Sequence, residues 1–137
     1  MATRLVLRVQ RLELLDFDGQ KMYSREVAVL DQESKFVERF HLMCAAISDD
    51  IQNPDGSGAT ALEEIRRIES GETDRIESDG NAWVAYITPD KVWFEGLYSQ
   101  GEGGEVTFAQ YKLAVQTYVR FLFDPERKPI EVEFPSE

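Results

Sequence analysis

Apolar and polar positions alternate in two stretches at the start of the chain. Residues 3–17 and 21–30 are rich in Leu and Val, and Asp18-Gly19 between them tolerates the positive φ angles of a tight turn. These runs predict an antiparallel N-terminal hairpin. The alternation slips between residues 11 and 15, which predicts a bulge or a bend in the first strand.

From residue 34 the apolar positions recur at helical spacing. One face carries Phe36, Phe40, Met43 or Cys44, Ile47 and Ile51. This pattern predicts an amphipathic helix over about 34–52, ended by Asn53-Pro54. Thr60 and Glu63 then have capping-box spacing, which predicts a short helix over about 60–70.

The stretches "AWVAYI" and "VWFEGLY" predict a two-strand meander over residues 83–98. "TPDK" between them is typical of a type I turn, so we expect antiparallel strands at 83–88 and 92–98. Alternation places three side chains of each strand on one face. These are Trp83, Ala85 and Ile87 in the first strand, and Val92, Phe94 and Tyr98 in the second.

A long aromatic helix follows. Thr107 and Gln110 again have capping-box spacing, and apolar residues recur at helical intervals as far as Leu122, which predicts a helix over 107–123. "PIEVEF" near the end alternates as a half-buried C-terminal strand does. The expected fold is therefore α+β, with an antiparallel sheet packed against two main helices and one short helix. At 137 residues, the chain suits a single domain over 1–137.

Acidic residues are concentrated in the middle of the chain. The formal net charge is −11, and residues 48–105 hold 14 Asp and Glu against four Lys and Arg. Such a charge repels nucleic-acid phosphates and anionic lipids and attracts basic surfaces. The chain also contains no run of eighteen apolar residues, so we expect a cytoplasmic protein without direct nucleic-acid or membrane binding.

The stretch "GLYSQGEGGEVTFAQY", residues 96–111, is the one place that resembles a phosphate-binding loop. It lacks both the P-loop and the dinucleotide-binding spacing, and Glu102 and Glu105 would repel an anion. We therefore expect a flexible connection between strand and helix, and no cofactor.

Metal and thiol chemistry are weakly supported. Aligning either "DG" pair with a calcium loop puts residues that cannot ligate the ion at the first and twelfth positions, and a single His with a single Cys leaves a zinc site short of ligands. His41 and Cys44 lie three apart on a predicted helix, so a nucleophilic thiol stays an alternative. We expect no metal and favour a buried structural Cys44.

The remaining candidate is a protein-binding surface made of acids with a few aromatic anchors. The residues that the charge density selects are Glu72, Asp74, Glu77, Asp79, Trp83, Glu95, Tyr98, Glu102 and Glu105. Trp83 and Tyr98 would act as anchors if they are exposed. We expect no catalytic residues in this set.

The stretches "GNAWVAYITPDKVWFEGLY" and "VTFAQYKLAVQTYVRFL" resemble small bacterial immunity proteins of contact-dependent growth inhibition and related polymorphic-toxin systems. The resemblance covers about residues 80–134. It implies a non-enzymatic protein that binds one cognate toxin domain, often a nuclease, and blocks its active site or substrate surface. It assigns no contact residues, because these families diverge at their binding surfaces.

Three hypotheses follow for the function. The first is an acidic inhibitor of a basic toxin domain. The second is a small hydrolase or thiol enzyme that uses Cys44 and His41. The third is a homo-oligomeric adaptor or structural domain joined through an exposed strand edge.

Overall fold

The computed structural model describes residues 4–14, 16 and 18–137, and these form an α+β fold, as the sequence predicts. The helices are α1 (His41–Asp50), α2 (Ser57–Glu69) and α3 (Phe108–Phe123). The strands are β1 (Leu5–Glu13), β2 (Tyr23–Leu30), β3 (Ile76–Asp79), β4 (Trp83–Ile87), β5 (Lys91–Gly96), β6 (Glu102–Thr107) and β7 (Ile130–Phe134). They form two antiparallel sheets, ordered β2-β1-β7 and β3-β4-β5-β6.

The predicted N-terminal hairpin is confirmed, and of the predicted bulge or bend, no bulge occurs in the described pairing of its two strands. β1 and β2 pair in continuous register from Val6–Leu30 to Glu13–Tyr23. The alternation slips because residues 11–13 extend past the core, where both faces of the strand are exposed. Asp18 and Gly19 adopt φ angles of 57° and 80°, as the turn prediction requires. Residues 15 and 17, included in the predicted first strand, lie outside the described residues.

The predicted meander forms the centre of the four-stranded sheet. β4 and β5 pair as expected, and the N–H of Thr88 donates to the carbonyl of Lys91 across the turn. β5 ends at Gly96, so the prediction that Tyr98 belongs to the strand is wrong. The polar segment before the meander, to which the sequence analysis assigns no element, forms the edge strand β3.

The glycine-rich stretch is a strand and not the expected flexible connection. Residues 102–107 form β6, which pairs with β5 and includes a register shift. Gly104 has a φ of 61°, and a Cβ there would lie 2.7 Å from the Cβ of Leu42 on α1. Glycine is therefore required where this strand crosses close to the helix.

Two predicted helix starts are wrong. The first helix begins at His41, after a single 3-10 turn, instead of at residue 34. The Asp31 carboxylate accepts the N–H groups of Glu33 and Lys35, and Ser34 has a φ of 62°, so a turn replaces the first helical residues. Phe36 then bridges to Leu30 beside the sheet and is exposed.

The second helix begins at Ser57, three residues earlier than expected, so Thr60 lies inside it and forms no capping box. Instead, the Ser57 hydroxyl accepts the N–H groups of Gln52 and Asn53. These two bonds tie the first turn of α2 to the chain that leaves α1.

Helix α3 confirms its prediction closely. The Thr107 hydroxyl accepts the N–H of Gln110, and the Gln110 side chain accepts the N–H of Thr107. Its predicted face is buried at Tyr111, Val115, Tyr118 and Leu122, with Phe108 half-buried.

One hydrophobic core joins the two sheets. It contains Leu7 and Val9 of β1, Phe94 of β5 and the buried face of α3. Helix α3 contacts β1 and β7 of one sheet and β5 and β6 of the other. The inner faces of both sheets are therefore covered, and their outer faces remain for function.

Candidate functional site

The outer face of the four-stranded sheet carries a stacked aromatic pair. Tyr86 of β4 lies directly opposite Trp93 of β5, and their ring centroids are 5.4 Å apart with planes inclined by 10°. Both side chains are only half-buried. Neither residue belongs to the set selected by charge density, although both sit at the outward positions of their strands.

Five of the predicted acids surround this pair. Glu77 lies opposite Tyr86, and Glu95 lies opposite Glu102 in the neighbouring strand. Asp79 and Glu105 are the other two, and both are exposed. Strand alternation places Glu77, Asp79 and Glu95 on the same face as the aromatic rings. The register shift between β5 and β6 brings both Glu102, opposite Glu95, and Glu105, paired with Lys91, to that face as well.

Two cations partly offset this charge. The Arg75 guanidinium lies 5.6 Å from the ring centroids of both Tyr86 and Trp93, and it pairs with Glu77 at 3.3 Å. Lys91 lies 5.5 Å from the Trp93 ring and pairs with Glu105 at 3.4 Å. Five carboxylates against two cations leave three negative charges around the aromatic pair.

A shallow depression of about 420 Å³ runs between the rings and the acids. The Tyr86 hydroxyl donates to the Glu95 carboxylate at 3.3 Å. Partial removal from water, followed by the charge of Glu95, raises the pKa of Tyr86, so its hydroxyl is a donor at neutral pH. The face thus combines apolar rings, carboxylate acceptors and one oriented hydroxyl.

Trp83, the first predicted anchor, cannot serve from where it lies. It is 2% exposed, and its indole N–H donates to the Asp49 carboxylate at 2.9 Å, so it belongs to the core. The aromatic residues that do face outward, Tyr86 and Trp93, occupy the alternate strand positions, whose side chains point to the sheet face opposite that of Trp83. Tyr98, the second predicted anchor, is 74% exposed in the turn after β5.

The two remaining acids of the predicted set lie outside the sheet. Glu72 pairs with Arg67 at 2.8 Å and with Arg66 at 3.5 Å, close to the end of α2. Asp74 is exposed in the segment between α2 and β3. The predicted site residues therefore divide into five on one sheet face, one buried side chain and three in turns and connections.

Cys44 is poorly placed for nucleophilic chemistry. It is buried, and this burial raises the pKa of its thiol to about 12, so the thiol is protonated at neutral pH. His41 is exposed at the start of α1. The two residues border an open pocket of about 460 Å³ together with Phe36, Val37 and Phe40.

In the described part of the chain, no three His, Cys, Asp or Glu residues are grouped in a way that could hold a metal ion. Among the helices of that same part, none has both the length and the apolar character needed to cross a membrane.

Comparisons of this chain with protein-family models, with curated proteins and with solved structures found no match.

Proposed function

We propose that this protein is a non-enzymatic binding protein that holds a basic protein partner on the outer face of its four-stranded sheet. In the specific form of the proposal, it is an immunity protein that neutralises a cognate toxin domain by covering that domain's basic active or substrate-binding surface. The observation that carries the proposal is the stacked Tyr86–Trp93 pair inside a ring of five carboxylates.

The chemistry of this face suits protein recognition. Trp, Tyr and Arg are the residues that most often dominate binding energy at interfaces, and Arg75, Tyr86 and Trp93 meet here within stacking distance. The paired strands hold the rings in place before binding, so little conformational freedom is lost when a partner docks.

The charge of the face favours a basic partner. Three uncompensated carboxylates lie on a protein whose net charge is −11, so a cationic surface is attracted over a distance before contact. Enzymes that cleave nucleic acid carry such surfaces for phosphate binding. The segment that resembles immunity proteins, residues 80–134, also contains β4 and β5, the two strands that carry the aromatic pair.

The test compares two variants of equal net charge. The first is the triple variant Glu77→Gln, Glu95→Gln, Glu102→Gln, which neutralises the face. The matched control is Glu33→Gln, Glu126→Gln, Glu133→Gln, which removes the same charge from exposed positions elsewhere. Each tagged protein is used to capture its partner from the native cell, and the captured partner is purified for binding kinetics and an assay of nucleic-acid cleavage.

We expect the wild type and the control to capture the same basic protein and to inhibit it at equimolar ratio. The face variant should associate at least about tenfold more slowly at low salt, and this difference should shrink as ionic strength rises. Trp93→Ala should chiefly speed dissociation, by at least about tenfold if the ring is a hot spot. Equal binding by face variant and control would overturn the proposed surface, and a captured protein with undiminished activity would overturn the inhibitor role.

A further inference from the structure

A compact pocket of about 210 Å³ opens on the inner side of the four-stranded sheet, between α1, α2 and the edge strand β3. Its walls include the apolar side chains of Ala46, Ile47, Ala61 and Phe94. It is smaller than the roughly 300–1,000 Å³ of pockets that hold drug-sized ligands. It therefore fits one small molecule or one side chain.

Tyr111 reaches into this pocket from α3. The residue is only 5% exposed, and its ring packs at 6.0 Å from that of Phe94. Burial, followed by the charges of Glu64 and Asp50, raises the pKa of its hydroxyl, which therefore stays protonated close to both carboxylates. Tyr111 lines the pocket, and its hydroxyl makes no side-chain hydrogen bond within the described residues, so it is available to a molecule bound there.

Asp50 forms one acidic wall of the pocket. Its two oxygens accept the N–H groups of Ala82 and Trp83 at 2.8 and 3.1 Å, and they lie so close to Gly80 that a Cβ there would be 2.0 Å away. Burial is the main cause that raises the pKa of Asp50, and the charge of Asp49 adds to it, although hydrogen bonds from the backbone of Ala82, Trp83 and Asn81 act in the opposite direction.

Glu64 of α2 forms the other acidic wall. Its Oε1 accepts the Ser78 hydroxyl at 2.8 Å, and burial raises the pKa of the carboxyl despite this bond and the nearby Arg67. Two carboxylates thus line the pocket in partly dehydrated surroundings, together with the Tyr111 phenol. A buried charge of this kind is stabilised by a partner of opposite charge that also donates hydrogen bonds.

We propose that this pocket binds an organic cation, a primary ammonium group on a short aliphatic stem, with its N–H groups donated to Glu64, Asp50 and the Tyr111 hydroxyl. The apolar walls accommodate the aliphatic stem. A lysine side chain is buried in the same way when its stem packs on apolar surface and its ammonium group keeps polar partners. A metal ion fits less well, because the described residues offer no group of three suitable ligands. The proposal does not rest on the outer face, since Ser78, Ala85 and Phe94 of the pocket point to the opposite side of the sheet.

The test titrates isotope-labelled full chain with three probes while amide NMR signals are followed. The probes are n-butylammonium chloride, the peptide acetyl-Gly-Lys-Gly-amide and, as the neutral match, n-butanol. We expect saturable shifts at Ser78, Ala82 and Trp83 with a cation and none with butanol. For so few atoms, a Kd on the order of 1 mM is expected. Preference for butylammonium identifies a free amine as the natural ligand, whereas equal or tighter binding of the peptide identifies a lysine side chain.

Two variants test whether Glu64 and Tyr111 bind the ammonium group. Glu64→Gln keeps an acceptor for Ser78 and should weaken butylammonium binding by about tenfold or more, and Tyr111→Phe by about threefold to tenfold. Glu95→Gln on the outer face removes the same charge and should change the Kd by less than about twofold. Equal shifts with butanol, or unchanged affinity in both pocket variants, would overturn the proposal and leave the outer-face proposal untouched.

Discussion

The outer faces of the two sheets are built by the same strand alternation, yet the charged side chains at their centres are paired differently. On the three-stranded sheet, Arg8 and Gln10 both donate to the carboxylate of Glu26, and the Arg8–Glu26 pair is mostly buried. On the four-stranded sheet, Glu95 lies directly opposite Glu102. Like charges at opposed positions destabilise a sheet. The contrast lies in these two cross-strand groups, because Glu26 is bonded to Arg8 and Gln10, whereas Glu95 and Glu102 keep an electrostatic cost that a basic partner would relieve.

The largest expected effect concerns the core that the two sheets share. Tyr118 is fully buried on α3, so Tyr118→Ala should lower the free energy of unfolding by about 3–5 kcal/mol. Because α3 contacts both sheets, the variant should still unfold in a single transition by urea, followed by circular dichroism and by fluorescence.

Tyr118→Phe is the matched control for this change. The Tyr118 hydroxyl is buried and has no hydrogen-bond partner among the described residues, so its removal should leave stability unchanged or raise it. Two separate unfolding transitions in the alanine variant would mean that the two sheets unfold independently. The two outer faces would then belong to two different domains.

The next largest effect should be confined to the four-stranded sheet. Gly104→Ala introduces both an unfavourable positive φ and a collision with Leu42, and should cost about 2–4 kcal/mol. Gly103→Ala is the control, because Gly103 also has a positive φ but an added Cβ meets nothing within 4 Å. Chemical denaturation of both variants separates the two contributions. Equal losses would show that α1 yields to the added methyl group.

These glycines also show where the sequence is informative about the fold. Helix α3 was predictable because its period and its capping box agree, and the β4–β5 meander because a turn signal separates two apolar runs. β6 was not, because Gly103 and Gly104 are poor strand formers locally. The strand exists through pairing with β5 and the close approach of α1, which are contacts between distant parts of the chain.

The candidate site was predictable in its charge but not in its geometry. Charge density selects Glu77, Glu95 and Glu102, and pairing brings them to one face. Trp83 looked like an anchor because it leads the acidic strand, yet the indole is buried. The usable signal was parity: Tyr86 and Trp93 are aromatic at positions where an amphipathic strand normally places polar side chains.

A smaller effect should have opposite signs on the two outer faces. Glu26→Gln weakens the bonds from Arg8 and Gln10 and should cost about 0.5–1.5 kcal/mol. Glu102→Gln relieves its repulsion with Glu95 and should raise stability by about 0.2–1 kcal/mol. Urea midpoints at low and high salt provide the measurement, and both differences should shrink with salt. A loss of stability in both variants would remove the contrast between the faces.

The smallest expected effect is a pH dependence at Glu64, where α2 meets the edge strand of the four-stranded sheet. Burial raises the pKa of this carboxyl above its unfolded value of about 4.5, so between the two values the folded protein binds more protons than the unfolded chain. The stability due to Glu64 is therefore full below the unfolded pKa and is lost as pH rises through the folded pKa.

Glu64→Gln removes this titration and keeps an acceptor for Ser78. Urea unfolding from about pH 3.5 to about pH 8 should show the wild type losing stability relative to the variant as pH rises, with the difference constant above the folded pKa. The opposite slope would mean that the folded protein favours the ionised carboxylate. Asp50, whose pKa is also raised, is present in both proteins, so its contribution cancels. An ionised Glu64 that lowers the free energy of unfolding at neutral pH agrees with a cation site. A cation that binds only the folded protein would restore the free energy that the empty pocket loses.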